Sequence, residues 1–136
     1  MQGRPTFAFG IDLHLTSTEA GGRGTPLLGG AGREYRLKYR PNWGLPGMTP
    51  PEQTGAPVLG FARENIDPGE SVKAVIVAMF AEEVPLWSAV DEGTELPMYE
   101  GNRACGHARV LWRAATALPL PDADESRFLD WLSEVG

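Results

Sequence analysis

The chain has 136 residues and a mass of 14.7 kDa, the size of one ordinary domain. Its 42% hydrophobic and 22% charged residues exclude wholesale disorder, and 17 glycines with 12 prolines favour turns and long loops over a helix bundle. Twelve Lys and Arg against eighteen Asp and Glu leave a formal charge of −6, a balance that repels nucleic acid at long range.

Residues 6–16 open the structured part. Phe7, Phe9, Ile11, Leu13 and Leu15 share one parity, while Thr6, Asp12, His14 and Thr16 lie on the other with Ala8 and Gly10. A period of two describes a strand with one buried and one wet face, as antiparallel sheets commonly have. Residues 19–32, with six glycines, read as a long irregular loop. Residues 34–40 alternate again, Tyr35, Leu37 and Tyr39 against Arg36, Lys38 and Arg40. The expectation is a second strand with aromatic residues inward and a row of cations outward.

Five prolines make residues 41–57 a loop and not a strand. A short strand within 56–63 precedes the turn Asp67-Pro68-Gly69. Residues 71–80 become apolar on both parities (Val75, Ile76, Val77, Ala78, Met79), which predicts a strand covered on both sides. Residues 95–99 and 104–113 form a last antiparallel pair joined at Glu100-Gly101-Asn102. There Ala104, Gly106, Ala108, Val110 and Trp112 face one way, and His107, Arg109 and Arg113 the other.

Beyond Pro121 the period changes. Asp122 and Glu125 have capping-box spacing, and Phe128, Trp131, Leu132 and Val135 fall at i, i+3, i+4 and i+7, one apolar stripe of a helix. So short a helix is marginal alone, so it should dock on the strand that is apolar on both faces. It is acidic, with five carboxylates against Arg127. The expected architecture is all-β: a six-stranded antiparallel β-barrel over residues 1–118, with one short acidic amphipathic α-helix over 119–136 docked on it.

The chemistry is sparse. No phosphate-binding loop, dinucleotide fingerprint or nucleophile elbow is present, so no nucleotide or other cofactor is expected. Only His14, His107 and Cys105 are available for nucleophilic or transition-metal chemistry. Each histidine lies on the polar parity of its strand, the place of a solvated imidazole, and Cys105 reads as a small structural residue. No catalytic residue and no metal ligand are therefore assigned. One cysteine forms no internal disulfide and needs no oxidising compartment. The amino end lacks a signal-peptide pattern and no run of 18 apolar residues exists. The expectation is a cytoplasmic protein without a membrane partner. The one feature above background is basic: Arg36, Lys38 and Arg40, with Arg23 and Arg33 in the preceding loop. At that density cations bind phosphate or an acidic partner, unless carboxylates from neighbouring elements neutralise them.

These motifs also stand in a known order. Thr18-Glu19-Ala20-Gly21-Gly22-Arg23-Gly24-Thr25-Pro26 resembles the Glu-Glu-Gly-Gly-Arg-His-Thr-Pro signature of the third domain of translation elongation factor Tu. Residues 35–40 resemble that family's following aromatic strand ending in arginine. Pro68-Gly69-Glu70-Ser71-Val72-Lys73 is similar to its Pro-Gly-Asp/Glu-x-Val turn, and residues 92–106 to its closing pattern. Over residues 6–113 the resemblance implies a six-stranded antiparallel barrel, with Arg23 and Arg40 as the positions to carry over as contacts. The candidate binding residues are thus Arg23, Arg36, Lys38 and Arg40. The expected function is that of a non-catalytic macromolecule-binding module. A protein partner comes first, as for an immunity or inhibitor protein masking a basic toxin; the alternative is an RNA- or tRNA-binding translation module.

Overall fold

The computed structural model describes residues 3–135. Its strands are β1 (Arg4–Leu15), β2 (Leu27–Leu28), β3 (Asn42–Trp43), β4 (Thr54–Gly55), β5 (Val58–Phe61), β6 (Asn65–Ile66), β7 (Ser71–Val77), β8 (Glu95–Glu100) and β9 (Arg103–Leu118), followed by the helix α1 (Asp122–Val135). The molecule is mostly β with one C-terminal helix, and every strand pairing is antiparallel. Seven strands form one sheet in the order β4-β3-β8-β9-β1-β7-β5, and β2 pairs with β6 in a separate ribbon. Among the described residues no helix is long and apolar enough to cross a membrane.

The apolar parity of β1 is buried as expected, but from Thr6 onward the other parity is wet only at Asp12 and His14, since Thr6, Ala8 and Gly10 are buried as well. Phe9, Ile11, Leu13 and Leu15 join Val72, Ala74 and Ile76 of β7 in the main core. Trp87, on a 3-10 turn over Pro85–Ala89, stacks on Phe9 with 5.4 Å between centroids. The opposite parity of β7 carries Val75 and Val77 into a second cluster with Ala8, Leu59, Leu120, Phe128 and Leu132. A strand apolar on both faces therefore separates the main core from a layer closed by α1. At the turn before β7, the Glu70 carboxylate accepts bonds from the Asp67 amide at 2.9 Å and from Arg63 at 3.2 Å. These two contacts, the amide bond first, hold its pKa below the ordinary carboxylate value.

Several expectations fail, each for a local reason. Residues 34–40 are not a strand. Arg33–Tyr35 is a 3-10 turn, with Tyr35 N donating to Gly32 O, Arg36 N to Arg33 O and Lys38 N to Tyr35 O, and Leu37 takes φ +58°. Successive i to i+3 bonds use the amides a ladder needs, so Arg36, Lys38 and Arg40 do not form a row on a strand face. The loops expected at 19–32 and 41–57 contain the two-residue strands β2, β3 and β4, too short to leave a period. On β9 the register slips between Gly10 and Ile11: Ile11 faces Val110 and Gly10 faces Trp112, which leaves Leu111 as a bulge. Side chains beyond a bulge change face. Val110 lies in the main core, whereas Trp112 packs with the helix layer, and Arg113 turns away from His107 and Arg109 to lie over the Phe7 ring.

Trp112 is central to that layer. Its ring stacks on Phe128 (5.3 Å, 26°) and meets Trp131 edge-on (5.3 Å, 86°). The space it fills exists because Gly10 lies beneath it: a Cβ there would come within 2.2 Å of the indole. The capping box does not form, since both Glu125 oxygens receive Arg36. Instead Thr116 Oγ1 donates to Asp124 Oδ2 at 2.7 Å, tying the end of β9 to the first turn of α1.

Candidate binding surface

The four cations singled out by sequence are divided between two places. Arg23 leaves the glycine-rich loop and pairs with Glu100 at the end of β8, and its Nε donates to Thr25 O at 3.2 Å. Glu100 also accepts the Tyr39 hydroxyl at 2.6 Å. Thr18 Oγ1 donates to Arg23 O at 2.6 Å, while Arg103 donates to the carbonyls of Gly21 and Gly22. Gly22 lies so near Thr16 that a Cβ would meet its carbonyl at 2.0 Å, which explains a glycine at that position. The arginines of this corner thus fasten a loop to the β8–β9 turn.

Burial, reinforced by the bond to Glu100, raises the pKa of the Tyr39 hydroxyl, so it stays a donor. Nearby Cys105 is 1% exposed. Burial first, then the Glu100 charge, pushes its thiol up to about 11, which keeps it protonated and unreactive.

Arg36 belongs to the other corner. Its Nε donates to Glu125 Oε2 at 2.8 Å and its Nη2 to Oε1 at 2.5 Å, a bidentate pair of the strong, directional kind. The hydrogen bond raises the Arg36 pKa and holds the Glu125 carboxyl below its ordinary value. Arg33, Arg36, Asp122, Glu125, Ser126 and Leu129 line an open depression between α1 and the 3-10 turn.

Lys38 and Arg40 are exposed. Neither enters an ion pair among the described residues, although Arg40 Nε donates to Leu37 O at 3.1 Å. Of the predicted site residues, Arg36, Lys38 and Arg40 therefore share one turn, and Arg23 stands apart beside Glu100. The partners Tyr39, Glu100, Arg103 and Glu125 were not foreseen as contacts. Tyr39 lay in the aromatic segment 35–40, Glu100 and Arg103 in the closing motif, and Glu125 had capping-box spacing, but none of these marks pointed to the contact made.

The remaining charge of α1 points outward. Asp122, Ser126, Asp130 and Glu134 recur every fourth residue and all are exposed, while Phe128 and Leu132 are buried beneath. Asp122, Asp130 and Glu134 have no ion-pair partner among the described residues. The chemistry offered is that of a carboxylate stripe flanked by a shallow depression. No protein-family model and no curated protein matches this chain.

Proposed function

We propose that this protein is a non-catalytic cytoplasmic binding module that docks a basic protein through the outer face of α1, as an immunity or inhibitor protein masks a cationic toxin. The observation that carries the reading is the division of charge. Arg23 and Arg36 are neutralised within the molecule, whereas Asp122, Asp130 and Glu134 stand unpaired along one exposed helix face. Free carboxylates on one face steer a cationic partner and fix its orientation, and the adjoining depression with Leu129 supplies apolar contact. The RNA alternative draws on Lys38 and Arg40, with Arg33 the neighbouring exposed cation, so few phosphate contacts would give a shallow salt dependence.

The test is affinity capture from the source cells at low and high salt, comparing the natural chain with the Asp130→Lys, Glu134→Lys variant. The expected result is a basic protein with submicromolar Kd, weakened at least tenfold by the charge reversal. Unchanged capture by the variant, or no protein partner tighter than micromolar, overturns the reading. Ribonuclease-sensitive retention lost on Lys38→Glu and Arg40→Glu transfers it to RNA.

We further propose that the sheet closes into a six-stranded barrel, the architecture implied by the resemblance to the third domain of elongation factor Tu. Residues 54–61 support this, because they bond to neighbours on both sides. On one side lie β3, with Ala56 N donating to Pro41 O and Val58 N to Tyr39 O; on the other lies β7 with its extension, Val77 N donating to Pro57 O and Met79 N to Gly55 O. Amide exchange at Ala56, Val58, Val77 and Met79 should be as slow as in the centre of β1. Fast exchange along either seam would mean an open sheet.

A further inference from the structure

On the half of the outer sheet face that α1 leaves uncovered, two imidazoles meet. His14 of β1 is directly opposite His107 of β9, with ring centroids 5.3 Å apart and planes inclined by 41°. β1 runs between β7 and β9, and on the β7 side Ser71 Oγ lies 3.0 Å from His14 Nδ1. That contact fixes the ring and leaves Nε2 as the free nitrogen, the arrangement by which a second group orients a metal-binding histidine. His107 is exposed and makes no side-chain hydrogen bond among the described residues, so its ring is free to turn.

We propose that His14 and His107 form a two-donor site for a divalent transition-metal ion of tetrahedral preference, Zn2+ being the commonest, with water in the remaining positions. The spacing carries the inference. A ring nitrogen about 2.1 Å from zinc puts the ring centre roughly 3.2 Å from the ion; two rings on tetrahedral corners then have centres about 5.2 Å apart, against about 4.5 Å at the right angles of an octahedral ion. At the observed 5.3 Å both rings can reach one ion at the tetrahedral angle once His107 turns a nitrogen inward.

Among the described residues no third His, Cys, Asp or Glu completes a three-ligand set. Asp12 is held by Lys73 at 3.3 Å, and Glu95 stands opposite Arg109 in the β8–β9 register. The charged groups around the pair, Asp12, Lys73, Arg109 and Glu95, therefore balance, and the imidazoles supply the affinity. Two neutral donors without a thiolate or carboxylate place that affinity far below a four-ligand structural site.

The test uses the untagged full chain, titrated with Zn2+ by calorimetry. One ion per chain is expected. His14→Asn and His107→Asn should each weaken binding at least tenfold, and Ser71→Ala severalfold. As a check that needs no variant, Zn2+ should shift the ring resonances of both histidines together. Zn2+ binding weaker than millimolar, wild-type affinity in either Asn variant, or a zinc response confined to one ring would overturn the site.

Discussion

The outer faces of β1, β7 and β9 are one surface with two halves of opposite character. In one half the outward residues are Ala8 on β1, Val75 and Val77 on β7, and Trp112, Ala114 and Leu118 on β9, all packed in the layer under α1. In the other half the same strands present Asp12 and His14, Ser71 and Lys73, and His107 and Arg109, which surround open depressions. Backbone pairing continues through both halves. The side chains alone decide where a second layer forms, since a short amphipathic helix is stable only where it removes apolar area from water.

The contrast can be broken most severely at Phe128, which is 2% exposed and stacked on Trp112. Phe128→Ala should cost about 3–5 kcal/mol, read from the denaturant midpoint, whereas Arg109→Ala in the open half should leave the midpoint almost unchanged. Equal effects would show that α1 does not stabilise the half it covers.

A smaller effect is expected at the rim of the helix layer. Arg36 holds the Glu125 carboxyl below its ordinary pKa, so the pair's contribution is complete above the unfolded glutamate pKa of about 4.3 and disappears as the pH falls through the lower folded value. Glu125→Gln should cost less than about 1 kcal/mol at neutral pH, because the Arg36 side chain is 35% exposed and water screens the interaction. The stability difference between the variant and the natural chain should vanish in acid. A difference that persists at pH 2 would assign the effect to packing.

The helix-covered half was the more legible in the sequence. The double-sided run Val75-Ile76-Val77 and the stripe of Phe128, Trp131 and Leu132 each follow from periodicity, and their association follows from the need to bury both. The face on which Trp112 lies was not legible, because the bulge at Leu111 inserts one residue without any compositional mark. Alternation at 34–40 misled for a related reason: a 3-10 turn with Leu37 in the left-handed region also separates Tyr39 from the cations without extending the chain. Of the candidate site, the residue types were visible. Their neutralisation by carboxylates stood as an alternative, but the particular partners were not visible, since the bonds to Glu100 and Glu125 join segments far apart in sequence, and so does the meeting of His14 with His107.

Cys105 gives the molecule an internal clock. The sole sulfhydryl is sealed beneath the β8–β9 hairpin and remains a thiol at neutral pH, so a chromogenic disulfide reagent reacts only with molecules in which that hairpin has parted. With enough reagent to trap the thiol before the hairpin recloses, the rate at which colour develops is the frequency of local opening, read in the natural polypeptide without an engineered handle.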